Sequence, residues 1–197
     1  MPNHKSVAEQ WLDREDNAAR SGRLDRLTWL AREMPKVDWL IFRGGLMTKY
    51  LFEEARYCFV YGQFLATIVL SLALIERELA ALFYESGRND LERAGIWELA
   101  KQAFETGWLT QEEFEWVEDL RQIRNPIVHF RKLGVQPGER AKPDWWRDRL
   151  ESRSVVEGRL PYEILEQDAR QAMRIVHRLL GTSLMSVPDS DSRDSTA

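Results

Sequence analysis

Three residues within the six-residue stretch RNPIVH have side chains suited to phosphate chemistry: Arg124, Asn125 and His129. A guanidinium presents a planar fork of donors to phosphate oxygens, and an imidazole with a pKa of about 6.5 can take or give a proton near neutral pH. Cleaving RNA without a metal requires a group that removes the 2′-hydroxyl proton, a group that protonates the leaving 5′-oxygen, and positive charge at the phosphate. The stretch therefore has the residue types for metal-independent phosphodiester cleavage.

The same stretch has the features of a helix start. Asn125 is a favoured N-cap residue type, and Pro126 suits the first helical position. A proline also removes a backbone donor, which predicts that the preceding helix kinks or restarts there. On one unbroken helix, Arg124 and His129 would point about 140° apart. The predicted break is what would let both side chains face one cleft.

Composition narrows the class of protein. The net charge of −4 excludes a molecule that is basic all over, and the single cysteine, Cys58, excludes an internal disulfide. The longest apolar run, from Phe64 to Ile75, is 12 residues, short of the roughly 20 that span a bilayer. The N-terminal segment lacks the apolar core of a signal peptide, so we expect a cytoplasmic protein with no membrane partner. Neither a metal-ligand spacing nor a glycine-rich phosphate loop is present, so we predict no metal and no cofactor.

Helical periodicity predicts an all-α fold. Two pairs have the spacing of a capping box, Ser6 with Glu9 and Thr110 with Glu113. The predicted helices are two short ones, from Ser6 and over about 22–32, followed by longer ones over about 47–61, 63–84, 91–105, from Thr110 onward, and 162–180. The predicted organisation is a helical N-terminal extension (1–46), a helical bundle (47–181) and a disordered tail (182–197).

The motif and its setting resemble the HEPN superfamily of helical bundles, which includes many metal-independent endoribonucleases. RNPIVH looks like that family's Arg-x4-His signature, in which a polar residue often follows the arginine. YGQFLATIVLSLALIERELAALF resembles its long apolar helix with an embedded glutamate, and AGIWELAKQAFETGWLTQEEFEWVEDLRQI resembles the helices that lead into the motif. The resemblance spans about 47–180. It implies a homodimer whose two motifs share one active site, with Arg124 and His129 catalytic and Asn125 in support.

Glu76 is predicted to support this site. It falls in the series Val69, Leu72, Glu76, Leu79, Phe83 on an otherwise apolar stripe, where a carboxylate is costly unless it is paired. Arg124 is the natural partner, and the pair would hold the guanidinium in place. The alternative is that Glu76 belongs to a solvated stripe of the helix.

A basic segment adjoins the motif. Nine basic and four acidic residues lie between Arg121 and Arg153, a local charge of +5, which leaves −9 for the rest of the chain. Such a segment suits a phosphate-bearing substrate. Two tryptophans in this segment, Trp145 and Trp146, could stack on unpaired bases or anchor the segment to the bundle. The predicted RNA-binding residues are Arg121, Arg131, Lys132, Trp145, Trp146 and Arg147.

The sequence therefore predicts an HEPN-type endoribonuclease that acts on RNA in toxin activity, defence or stress, with an antitoxin or regulatory protein as a further partner. Some HEPN toxins carry a modifiable tyrosine two residues after the histidine, but Arg131 occupies that position here. Two alternatives stay open. One is a non-catalytic HEPN module that acts as a dimeric scaffold for RNA or protein, and the other is a helical regulator that binds a nucleotide or a protein toxin. Residues 1–46, outside the resemblance, could cover the dimer, bind a partner or gate the cleft.

Overall fold

The computed structural model describes residues 5–34, 40–128 and 145–181, without the side chains of 126–128 and 145–149. These ranges form seven α-helices and no strand, so the predicted all-α class is confirmed for the described chain. A short 3-10 turn, Asn89–Leu91, follows the third helix. The helices are α1 (Val7–Glu33), α2 (Leu46–Val60), α3 (Phe64–Glu85), α4 (Ile96–Glu105), α5 (Gln111–Val128), α6 (Trp145–Glu157) and α7 (Pro161–Gly181).

α3 is the helix around which the body is built, because it packs against α2, α4, α5 and α7. Ile68, Ile75 and Leu79 are completely buried along its core face. Burying such a side chain contributes about 1.5–3 kcal/mol. The long apolar run from Phe64 to Ile75 lies in this helix, as the predicted helix over 63–84 requires. None of the described helices is both long and apolar enough to cross a membrane.

Both predicted capping boxes are present. The backbone N–H of Glu9 donates to Ser6 Oγ at 3.2 Å, and that of Ser6 donates to Glu9 Oε2 at 2.6 Å. The backbone N–H of Glu113 donates to Thr110 Oγ1 at 3.3 Å, and that of Thr110 donates to Glu113 Oε2 at 2.8 Å. These bonds satisfy amide groups that have no partner within the helix. They set the beginnings of α1 and α5.

α1 is one helix of 27 residues, so the prediction of two short helices was wrong. The helix continues through Gly22, because one glycine costs a helix only about 1 kcal/mol. A side chain at Gly22 would meet the Arg26 guanidinium at 3.1 Å, so the glycine leaves room for that group. At the C-terminal end of the helix, Trp29, Leu30 and the following Met34 join the main core.

α7 runs along α3 and joins distant parts of the chain. The helix predicted over 162–180 is confirmed, and its face with Ala169, Ala172, Val176 and Leu179 is buried. The guanidiniums of Arg170 and Arg174 lie 4.9 and 5.5 Å from the centre of the Trp29 ring, and Arg174 also pairs with Glu33 at 3.2 Å. The carbonyl of Leu180 accepts a hydrogen bond from the Ile41 N–H at 3.3 Å. α7 therefore holds α1 and the segment that follows it.

Two further helices differ from expectation. α4 begins at Ile96 rather than near Leu91, because Gly95 has an extended backbone and caps the helix. Sequence reasoning did not identify α6 as a helix. Its attachment is a long-range ion pair in which Arg153 Nη1 contacts the buried Asp168 of α7 at 2.9 Å. The predicted disordered tail, 182–197, lies outside the described residues.

The connection between α1 and α2 is fixed to α3 by a buried carboxylate. The backbone N–H groups of Arg43 and Gly44 donate to Glu78 Oε2 and Oε1 at 3.3 and 3.0 Å. Arg77 Nη2 donates to the Gly44 carbonyl at 3.0 Å. Because Glu78 is completely buried, these bonds replace water around its carboxylate. The backbone at Gly44 must therefore approach α3 closely.

We expect Gly44→Ala to lower the free energy of unfolding by about 2 kcal/mol. An added Cβ would collide with the Oγ1 of the buried Thr48 and lie 3.3 Å from the Cβ of Arg77. Chemical denaturation measures the loss. Gly95→Ser is the control, because its Cβ enters open space.

The double variant Gly44→Ala/Thr48→Ala identifies the cause. Because Thr48→Ala removes the hydroxyl that would collide, the double variant should lose less stability than the two single variants together. A loss equal to the sum of the two single losses would contradict the collision.

Candidate functional site

Arg124 lies near the end of α5 and is partly buried. Its Nε is buried and has no hydrogen-bond partner, and no ion pair joins it to a carboxylate among the described residues. A buried polar atom without a partner costs about 1–3 kcal/mol. Arg124 is therefore a guanidinium whose hydrogen-bonding capacity is not fully used within the described chain.

Other arginines of α5, α6 and α7 whose side chains are described are paired. Arg121 makes two bonds to Glu118, at 2.8 and 2.6 Å, and Arg153 pairs with Asp168 at 2.9 Å. Arg170 pairs with Glu166, and Arg178 pairs with Glu113. Arg124 differs from all four, although it lies on the same body of helices.

The predicted break at Pro126 is wrong. α5 continues through Asn125 and Pro126 to Val128, so Asn125 is not the N-cap of a new helix. The proline lies within the last turn, where the missing N–H affects a hydrogen bond close to the helix end rather than at its centre. His129 is the next residue in the sequence and lies outside the described residues, so its predicted convergence with Arg124 stays a prediction.

The buried carboxylate of α3 is Glu78 rather than Glu76. Glu76 is only partly buried, and the described residues show no ion pair between it and Arg124. The buried arc of α3 centres on Ile75, with Glu78 inside the arc and Glu76 at its edge. The predicted buried pair between Glu76 and Arg124 is therefore absent.

Glu78 is a residue that the sequence reasoning missed. The signal was present in the arrangement ERE, where a two-residue shift moves a side chain by about 200° around the helix. Burial raises the pKa of its carboxyl, although two backbone N–H donors and Arg43 act in the opposite direction. The group serves the junction of α1 and α2, and nothing in its contacts connects it to the Arg124 side chain.

The predicted RNA-binding residues are only partly described. Trp145, Trp146 and Arg147 form the first turn of α6, and their side chains lie outside the description. Arg131 and Lys132 lie outside the described residues altogether.

The pairs of Arg121 and Arg153 reduce the charge available to a substrate. Their partners, Glu118, Glu157 and Asp168, lie outside the 121–153 segment that was counted as +5. The guanidinium of Arg121 also lowers the pKa of Glu118, which keeps that pair charged. The local excess of positive charge is thus smaller in the fold than in the sequence.

The described part of the chain contains one histidine, His177 of α7. Its Nε2 is buried without a hydrogen-bond partner, and burial lowers the pKa of the imidazole. This histidine is therefore neutral at pH 7 and belongs to the packed surface of α7.

An open groove of about 690 Å³ lies between α1, the start of α3 and α7. None of the predicted site residues lines it. The described residues contain no cluster of three or more histidine, cysteine or acidic side chains that could hold a metal ion.

Comparisons of the chain with models of known protein families, with curated proteins and with solved structures each gave no match. The assignment of a function therefore depends on the residues and their geometry.

A pH titration tests the burial of Glu78. Because the pKa of its carboxyl is higher in the folded than in the unfolded protein, its contribution to stability is present at acid pH and is lost as the pH rises. The free energy of unfolding of wild type minus that of Glu78→Gln should therefore increase as the pH falls from 7 towards 4.5, the ordinary pKa of the group.

Denaturation curves at several pH values measure this difference. Glu92→Gln, which removes an exposed carboxyl group, is the control. Equal pH dependence of the two variants would show that Glu78 is not held in a desolvated position.

Proposed function

We propose that this protein is a metal-independent endoribonuclease of the HEPN type, with a role in toxin activity, defence or stress. Two copies of the Arg124–His129 element would face each other across a homodimer and share one cleft. The observation that carries the proposal is the state of Arg124. Its guanidinium is partly buried near the end of a long helix and has an unsatisfied Nε. Arg124 is also the first residue of the Arg-x4-His element.

The pairing of neighbouring arginines supports a distinct role for Arg124. A guanidinium that already binds a carboxylate must give up that partner to bind a phosphate. Arg121 and Arg153 are in this position, whereas Arg124 has no carboxylate partner among the described residues. Arg124 can therefore donate to phosphate oxygens without the loss of an existing ion pair.

The proposed reaction is a transesterification. One histidine removes the proton from the 2′-hydroxyl, and the 2′-oxygen attacks phosphorus. The bond from phosphorus to the 5′-oxygen breaks, the second histidine gives that oxygen a proton, and a 2′,3′-cyclic phosphate remains. Arg124 stabilises the negative charge on the non-bridging oxygens. Each copy of the chain supplies His129, so the two-fold arrangement provides the acid and the base.

Substitution of the two residues tests the proposal. His129→Ala and Arg124→Ala should each lower the rate of cleavage of a fluorescent single-stranded RNA by at least about 100-fold, and EDTA should leave the wild-type rate unchanged. Arg124→Lys should restore little activity, because a lysine keeps the charge but loses the planar fork. Arg88→Ala removes an exposed arginine that pairs with Asp90, and it should cut RNA at the wild-type rate.

Two results would contradict the proposal: cleavage that persists in both alanine variants, and cleavage that stops with the chelator. A wild-type dimer that never cuts RNA, and that dissociates when Arg124 or His129 is changed, would instead indicate the non-catalytic scaffold. Thermal unfolding of each variant separates a loss of chemistry from a loss of fold.

A further inference from the structure

The first part of α1 extends away from the rest of the chain. Every residue from Lys5 to Ser21 is exposed, and we call this segment the arm. Going along α1 towards the arm, each successive residue that contacts α2 meets a position nearer the C-terminal end of α2. The Trp29 and Phe59 ring centres are 5.2 Å apart, Arg26 Nε donates to the Val60 carbonyl at 2.9 Å, and Arg23 lies 5.1 Å from the Tyr61 ring centre. α2 ends at this point, and the arm continues beyond it.

The arm repeats the residues by which α1 packs on the body. Trp11 and Leu12 are 65% and 62% exposed, whereas Trp29 and Leu30 are 6% and 2% exposed. The two pairs are 18 residues apart in the sequence, about five complete turns, so they lie on the same face of one helix. Val7, which is 81% exposed, extends that face towards the N-terminus. The face that is buried at one end of α1 is thus bare at the other.

A bare apolar face on a projecting helix indicates a docking surface. Exposed apolar patches with a polar rim mark interaction sites. A helix of the arm's length is also only marginally stable in water without tertiary packing. The capping box at Ser6 nevertheless sets a defined beginning for this helix. The arm is therefore built as a helix that another surface covers.

A suitable surface lies on α2 of the same chain. Leu46, Tyr50, Tyr57 and Tyr61 are exposed and share one face of α2, and we call this face the tyrosine ridge. The rings of Tyr57 and Tyr61 stack with their centres 4.4 Å apart. The ridge begins at the base of the arm, where Arg23 contacts Tyr61. Since the arm points away from α2, it leaves the ridge of its own chain uncovered.

A second copy of the chain carries both a ridge for the arm and an arm for the ridge. Across a two-fold axis, each arm can lie on the ridge of the other copy. The arm has three basic and four acidic residues, and α2 has two of each, the exposed Lys49, Glu53 and Glu54 with the half-buried Arg56. Such balanced surfaces do not repel one another, and they lack the positive charge that favours nucleic acid or an anionic membrane. Two arms of about 25 Å each can together approach a standard interface of about 1,600 Å².

We propose that the arm of each chain packs its Trp11 and Leu12 face on the tyrosine ridge of a second copy, in a reciprocal two-fold dimer. This contact goes beyond the proposed RNA cleavage and does not depend on it. Residues 5–21 then act as a dimerisation element.

Sedimentation equilibrium of the full chain tests the contact. The wild type should be a dimer at micromolar concentration, and Trp11→Ala/Leu12→Ala should raise the dimer Kd by at least about 100-fold. Leu24→Ala/Leu27→Ala is the matched control, because it removes two exposed leucines of the same helix that lie outside the arm. Circular dichroism should show both variants folded, since all four side chains are exposed.

A mixing experiment identifies what the arm contacts. Tyr50→Ser/Tyr57→Ser alone should also be monomeric. Mixed with the Trp11/Leu12 variant, it should form a heterodimer, because one intact arm then meets one intact ridge. If the arms packed only on each other, this mixture would form no heterodimer, because the Trp11/Leu12 variant has no intact arm.

Three outcomes overturn the proposal: a monomeric wild type, a Trp11/Leu12 variant that dimerises like the wild type, and a mixture that associates no better than its components. The same samples are assayed for RNA cleavage. A Trp11/Leu12 variant that still dimerises and cuts RNA overturns the arm contact alone, whereas a wild-type dimer that does not cut overturns the cleavage alone.

Discussion

The position of the N-terminal third of the chain depends on how one buried carboxylate is satisfied. Glu78 lies on the core face of α3, where its charge would be costly without donors. The donors are the backbone N–H groups of Arg43 and Gly44, which join α1 to α2. The chain must pass close to α3 at this point, which requires the glycine. α2 can then begin beside α3, and the end of α1 can reach the core.

The sequence predicted those features that depend on local signals. Apolar periodicity identified α2, α3 and α7, and both capping boxes begin helices as expected. The errors concerned where helices are interrupted. Pro126 removes only part of a helix's stability, so α5 continues through it, and α1 is continuous where two short helices were predicted. α6 is joined to α7 by the ion pair between Arg153 and Asp168, which local patterns do not contain.

In the candidate site, too, the sequence predicted the residue types but not the contacts that depend on packing. Residue type selected Arg124, and its unsatisfied Nε is a property that only packing could reveal. To choose between Glu76 and Glu78, one must know which side of α3 faces its neighbours. The spacing of apolar residues in the sequence gives that orientation only approximately. Likewise, the charge of the basic segment could be counted from the sequence, but its pairing with Glu118 and Asp168 could not.

The contacts of α7 have a consequence for synthesis of the chain. Trp29 lies beneath Arg170 and Arg174, and Arg174 pairs with Glu33 across 141 positions. α1 is therefore the first of the described helices to leave the ribosome, while the helix that completes its docking site is the last. Until α7 emerges, the nascent chain exposes the α1 face that carries Trp29, together with the core face of α3. The protein can close its core only near the end of translation, which makes the incomplete chain a natural client for a chaperone that shields apolar helices.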